Sequence, residues 1–190
     1  MLATPLFVDP VIARACGAAV ALILLLGAID KLRDREMFEA IVENYRVLPA
    51  GPASLWFARM LPLVEIAAAG LLLWPAMRAI GAAVAIGLLA VFCLAIGFNL
   101  LRGRRDVDCG CGGASGRQTL SWWLVARNAV LAAIALIGAG DGLVRDMAWL
   151  DAFTAVAGTL ALLALYVFFN QLGANAPRLK SLRPPRRKEA

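Results

Sequence analysis

The chain alternates between long apolar runs and short polar breaks that carry glycine, proline or charge. Five apolar runs, at about 11–29, 53–74, 79–101, 120–137 and 150–171, reach or approach the roughly 20 residues that an α-helix needs to cross about 30 Å of hydrocarbon. Strict polar–apolar alternation is missing and the runs are too long for strands, so no sheet competes. The pattern predicts an all-α membrane protein, a bundle of about five transmembrane helices forming a single domain over 1–172. The stretch 173–190 is rich in Pro, Lys and Arg and is expected to be a disordered tail. Trp56, Trp74, Trp122, Trp123 and Trp149 fall at or near the ends of the runs, where indole prefers the membrane interface. No basic stretch precedes the first run and Ile29-Asp30-Lys31-Leu32 is a poor cleavage context, so that run is expected to be a retained helix.

Between the first two runs, Phe38, Ile41, Val42 and Tyr45 recur at helical spacing, with Glu36, Glu39 and Glu43 on other faces. Asp34 is placed to cap this segment, and Pro49 and Pro52 end it. The spacing predicts an amphipathic helix on the cytoplasmic surface of the bundle.

Composition strengthens the membrane reading. Of 190 residues 62% are hydrophobic and 17% charged, with a mean hydropathy of +0.77. Soluble domains run nearer ~45–50% apolar. A cytosolic enzyme, a disordered chain and a secreted disulfide scaffold are thereby excluded. The chain has no histidine, which removes imidazole acid–base chemistry, His metal ligands and Ser-His-Asp triads.

The net charge of +6 is unevenly placed. With five spans, the first loop, the third loop and the tail share one face, and that face takes 15 of the 19 Lys and Arg residues. The opposite face holds Arg14, Arg78 and Arg145, and Arg127 is left inside the membrane. Positive-inside counting puts the N-terminus outside and the C-terminus in the cytoplasm. Because the basic residues flank spans, they suit anionic lipid headgroups rather than nucleic acid.

Candidate chemistry concentrates in Asp106-Val107-Asp108-Cys109-Gly110-Cys111-Gly112-Gly113, between the third and fourth runs. Two thiols separated by one glycine can close a strained small-ring disulfide or jointly hold a soft metal such as Cu(I). Strain makes a disulfide easier to reduce, which suits a redox couple better than a structural staple. Arg102, Arg104 and Arg105 favour thiolate there, while Asp106 and Asp108 oppose it. Cys16 lies near the opposite face and Cys93 within the third run, so a zinc site of all four cysteines is not expected. Each reads as a small buried apolar residue, with Cys93 able to face the dithiol from below.

Polar residues inside a bilayer are costly unless partnered, so each is a candidate. Glu65 lies mid-run after Pro62, which is expected to kink its helix one turn earlier. Arg127 and Asn128 lie in the fourth run and Asn99 near the end of the third. The expected arrangement is a buried Glu65–Arg127 ion pair beneath the dithiol loop, with Asn99 and Asn128 completing its hydrogen bonds. Such a pair either locks two helices or takes part in redox chemistry. Small residues four apart (Ala13/Gly17, Gly81/Ala85, Ala83/Gly87) would let helices approach closely, although alanine is frequent enough here to produce such spacings by chance.

In order along the chain stand Asp30-Lys31-Leu32, Tyr45-Arg46-Val47-Leu48-Pro49, Leu61-Pro62-Leu63-Val64-Glu65, the Asp106–Gly112 element, and Leu120-Ser121-Trp122-Trp123 with Arg127-Asn128. In these the chain resembles the MauE family of methylamine-utilisation membrane proteins, within the wider DoxX-like redox-associated group. It departs from that pattern at Gly112-Gly113, where an aromatic residue and a glycine are expected. The resemblance implies a multi-pass protein of the bacterial inner membrane that helps mature methylamine dehydrogenase, whose small subunit carries many disulfides and a tryptophan-derived quinone. It further implies a thioredoxin-like partner and a disulfide-containing client outside the cytoplasm.

Three readings stay open. The first is a membrane thiol-redox component in which Cys109 and Cys111 exchange reducing equivalents with a partner dithiol or a membrane quinone, without a resident cofactor. The second is a non-catalytic assembly factor, and the third a Cu(I)-binding protein. Charge counting places the dithiol in the cytoplasm while the implied client matures outside. Either electrons cross the membrane, or the loop dips inward, or the role is assembly.

Overall fold

The fold is given by a computed structural model that describes residues 8–47, 49, 51–105, 107–110, 119–140 and 148–181, the last helix with side chains to 175. It consists of α1 (Pro10–Arg33), α2 (Arg35–Tyr45), α3 (Pro52–Leu73), α4 (Arg78–Leu101), α5 (Trp122–Gly138) and α6 (Trp149–Ser181). A single 3-10 turn, Pro75–Met77, joins α3 to α4. No strand occurs among the described residues, whose one isolated bridge links Asp108 to Thr119. α1, α3, α4 and α6 are long and apolar enough to span a membrane. α5, with 17 residues, is about 25 Å long and sits at the lower limit for a span.

Local chemistry sets the helix ends. Asp9 caps α1 by accepting a hydrogen bond from the Val11 amide at 2.8 Å, and Pro10 fills the first helical position, where no amide is needed. Asp34 ends α1 and caps α2, its Oδ1 accepting from the Met37 amide at 3.2 Å. The expected amphipathic helix therefore starts where its capping residue indicated. Its apolar side turns inward: Phe38 and Tyr45 are buried, and Glu39 on its flank pairs with Arg59 of α3 at 2.7 Å.

Helix directions follow from which residues meet. At one end of the bundle Gly17, Leu72 and Gly138 come together, Gly81 packs on Leu72, and the Thr159 hydroxyl donates to the Ala15 carbonyl at 3.4 Å. At the other end Lys31 meets Glu65, Cys93 meets Val125, and Trp123 packs on Gly173. Thus α1, α4 and α6 run one way and α3 and α5 the other. This alternation places α2, the Cys109 loop and the end of α6 at one end of the bundle.

The α1–α5 crossing is made possible by glycine. A Cβ on Gly138 would lie 2.8 Å from the Gly17 amide nitrogen and 2.9 Å from its Cα, so any side chain there forces the two backbones apart. Of the small-residue pairs, Ala13/Gly17 and Gly81/Ala85 are buried at helix contacts, whereas Ala83 and Gly87 are exposed. All five tryptophans are exposed on the bundle surface.

One boundary moves. The chain was expected to leave the last helix at about 172, yet α6 runs to Ser181. Gly173 lies inside this helix, where the Trp123 indole occupies the space beside it, with Nε1 only 2.6 Å from where a Cβ would sit. Residues 182–190 lie outside the described residues.

Candidate thiol cleft and intramembrane ionic cluster

The loop after α4 is tied down by one arginine. Arg104 donates from Nη1 to the Asn99 side-chain oxygen at 3.2 Å and from Nη2 to that of Asn44 at 3.1 Å. Its Nη1 also lies 3.5 Å from the Tyr45 carbonyl, which joins the end of α4 to the C-terminus of α2. Asn99 is fully buried and anchors itself by donating to the Ala95 carbonyl at 3.0 Å. Tyr45 then donates from its hydroxyl to the Cys109 carbonyl at 3.3 Å. The neck of the loop closes through the Asp108–Thr119 bridge and a hydrogen bond from the Leu120 amide to the Val107 carbonyl at 3.2 Å.

Gly110, between the two cysteines, adopts φ +68°, a left-handed conformation that side chains resist. It also lies flat on α2, since a Cβ there would meet Ile41 Cγ2 at 3.2 Å and the Phe38 ring at 3.4 Å. Cys109 is buried with Tyr45, Ile96, Leu100, Val107, Leu120 and Leu124. Cys111 and Asp106 lie outside the described residues.

Cys109 lines the wall of an apolar cleft of about 710 Å³ between α2, α3 and α4. Phe38, Tyr45, Phe92 and Cys93 share that wall, and Lys31 stands at its inner end. The residues at its rim include Leu94, Phe98, Leu101 and Trp122, all exposed on the outer surface where lipid would lie. Two thiols, on the loop and on α4, therefore open on one cleft. The Cys93 thiol also points at the Val125 carbonyl, 3.6 Å away.

Deeper lies the ionic cluster, which brings in a residue the sequence reading left among the surface charges. Glu65 is ion-paired with Lys31, whose Nζ donates to both carboxylate oxygens at 2.8 and 3.0 Å. Arg127, the expected partner, lines the same small cavity as Glu65 and donates to Asn170 of α6 at 2.7 Å and to Asn128 at 3.4 Å, its guanidinium facing the Tyr166 ring. Asn128 thus assists Arg127 as expected, whereas Asn99 serves Arg104 and the loop. The reason is helical phase. Gly17, Val20, Leu24, Ala28 and Lys31 fall on one buried stripe of α1, and α1 runs antiparallel to α3. The lysine stem folds back along its own helix, with Nζ donating to the Gly27 carbonyl at 3.3 Å, so the ammonium lies deeper than its Cα. Lys31, Arg104 and Asn44 were not singled out as site residues from sequence. The 3–4 spacing of the buried stripe was the available signal for Lys31.

Cys16 is buried beside Gly17, at the far end of the bundle from Cys109. Asp108, one residue before Cys109, contributes the backbone of the loop neck.

A family model described as Methylamine utilisation protein MauE matches residues 9–140. The chain belongs to the MauE family. It is 45% identical over 131 residues to the methylamine utilization protein MauE of Paracoccus denitrificans, covering 68% of this chain and 69% of that one. To the MauE of Paracoccus versutus it is 41% identical over 167 residues, covering 87% and 89%. To that of Methylorubrum extorquens it is 38% identical over 153 residues, covering 80% and 77%. No solved structure matches. The matched MauE region spans α1 through α5 and so contains Lys31, Glu65, Cys109 and Arg127, while α6, with Asn170 and Tyr166, lies beyond it.

Proposed function

We propose that this chain is a membrane thiol-redox component of methylamine utilisation, with Cys109 and Cys111 as the working dithiol. The observation that carries the reading is the position of Cys109, buried in the wall of an apolar cleft rimmed by lipid-facing side chains. A water-soluble oxidant meets little polar surface there, whereas a lipid-soluble quinone meets Phe38, Phe92 and Phe98. Oxidation of the two thiols to a disulfide releases two electrons and two protons, which convert a quinone to its quinol. The disulfide is then exchanged with the thiol pair of a thioredoxin-like partner, which becomes oxidised and passes the bond to a client. In this reading the chain sits in the bacterial inner membrane, with the Cys109 end of the bundle toward the cytoplasm on the positive-inside count. Support for the pathway comes from the relatives, each named for methylamine utilisation.

The test is Cys109→Ser and Cys111→Ser, singly and together, in a strain growing on methylamine. Growth and the disulfide state of the methylamine dehydrogenase small subunit are followed. Loss of both in each single variant is expected, with the purified wild-type protein reducing a short-chain quinone in step with loss of two thiols. Client maturation unchanged in the double variant would remove the redox reading and leave assembly. One copper per purified chain, lost in the same variant, would favour metal carriage.

A further inference from the structure

The cleft that holds Cys109 is apolar along its length and charged at one point. Among the described residues that line it, Lys31 is the one charged side chain, and it stands at the inner end. Its Nζ lies 5.6 Å from the ring centroids of both Phe38 and Phe92, which line the same cleft. Small-molecule sites of roughly 300–1,000 Å³ pair an apolar wall with a few polar groups that fix the ligand's orientation. A cleft of about 710 Å³ ending on one buried ammonium has that form.

The ammonium is held by contacts of unequal strength. It carries three N–H groups. Two serve the Glu65 carboxylate at 2.8 and 3.0 Å, and the third reaches the Gly27 carbonyl at 3.3 Å. That carbonyl lies one turn back on α1, where helical geometry already gives it the Lys31 backbone amide, so it loses little if the side chain turns away. One N–H of Lys31 can therefore be offered to the cleft while the ion pair with Glu65 stays whole. Because Glu65 already pairs with this ammonium, the acceptor that fits is a neutral carbonyl. A second carboxylate would be pressed against the first.

We infer that Lys31 is a catalytic residue of the cleft, donating a hydrogen bond to the inward carbonyl oxygen of a bound quinone. This role rests on the thiol-redox reading and adds an orientation to it. The quinone ring lies inward near Phe38 and Phe92, and its apolar tail leaves by the lipid-facing rim at Leu94, Phe98 and Leu101. The dithiol becomes a disulfide, giving up two electrons and two protons, and each quinone oxygen takes one of those protons. Negative charge builds on the oxygens as the electrons arrive. The Lys31 N–H stabilises it at the inner oxygen, where little water competes and a fixed donor is strong. Lys31 keeps its own proton throughout.

The experiment uses the full chain purified in detergent, with decylubiquinone as the probe. Infrared difference spectra of the bound quinone report each carbonyl, and quinol formation is followed by absorbance against the loss of two thiols. In the wild type, one of the two carbonyl stretches is expected to fall to lower frequency. In Lys31→Met that shift should vanish and kcat should fall about 100-fold, with KM changed less than about threefold. Lys31→Arg, which keeps a charged donor, should restore the shift and much of kcat. Two unshifted carbonyls in the quinone bound to the wild type would overturn the role of Lys31, and this measurement needs no variant to fold. Wild-type kcat in Lys31→Met would overturn it equally. A wild type that neither binds nor reduces the quinone would overturn the redox reading itself, a failure distinct from the other two.

Discussion

Arg104 offers the sharpest test of how the thiol loop is held. Its Nη1 reaches the fully buried Asn99 oxygen at 3.2 Å and its Nη2 the exposed Asn44 at 3.1 Å, while the 3.5 Å approach to the Tyr45 carbonyl is too long to add much. Replacing Arg104 by Ala strands the Asn99 oxygen, which costs about 1–3 kcal/mol, and removes an exposed contact worth less. A local loss of about 2 kcal/mol follows, equivalent to about 30-fold in the equilibrium for lifting the loop from α2. Reactivity of a buried thiol scales with that opening equilibrium. In a variant that keeps Cys109 and has Ser at positions 16, 93 and 111, N-ethylmaleimide should therefore label Arg104→Ala about 30 times faster than its parent. Helix content and thermal midpoint should change little, because the affected contacts are confined to one end of the bundle. A labelling rate within threefold of the parent would show that the clamp does not govern access to Cys109.

The ionic cluster should respond asymmetrically. Glu65→Gln leaves Lys31 and Arg127 on one cavity without their carboxylate and should cost about 3–5 kcal/mol in mixed-micelle unfolding, whereas Lys31→Met leaves Glu65 beside Arg127 and should cost clearly less. Equal costs would contradict the reading of Glu65 as the carboxylate that holds the buried Lys31 ammonium. Gly138→Val should lower stability by about 1–3 kcal/mol, because its Cβ meets the Gly17 backbone at 2.8 Å, while Gly87→Val, with nothing within 4 Å, should be nearly neutral. Thermal midpoints of the two variants in the same detergent separate these outcomes. Gly110→Ala should cost about 1–2 kcal/mol for its left-handed backbone and displace Ile41 or Phe38 besides; Gly103→Ala, at φ +75° in open space, bears only the first cost. Comparable maleimide reactivity of Cys109 in the two alanine variants would argue against close packing of Gly110 on α2.

Much of this architecture could be read along the chain because lipid imposes a simple rule, that a span must be apolar and about 20 residues long. The same rule gave the α2 cap at Asp34 no special help; that came from local carboxylate–amide geometry, which sequence also displays. What sequence concealed was partnership. Glu65 and Arg127 were visible as costly residues, but Lys31 stood among flanking basic residues and was counted as a surface charge. Only its phase with Gly17, Val20, Leu24 and Ala28 distinguishes it from the exposed Arg33 two residues on. Asn99 was assigned to the wrong network because depth along a helix does not reveal which neighbour it faces. Its actual partner, Arg104, is five residues away on a loop whose path no periodicity describes.

The alternation of helix directions has a consequence for traffic across the bilayer. Cys109 and Cys93 lie toward the Lys31 end and Cys16 beside Gly17 at the other. Along α1 alone, the 15 residues from Cys16 to Lys31 correspond to about 22 Å, far beyond the reach of a thiol exchange. Among the described residues, therefore, direct thiol exchange does not link the two ends of the bundle. On the proposed redox reading, electrons reaching Cys109 from the opposite side are carried by something that diffuses, and the lipid-facing mouth of the cleft is where such a courier would dock.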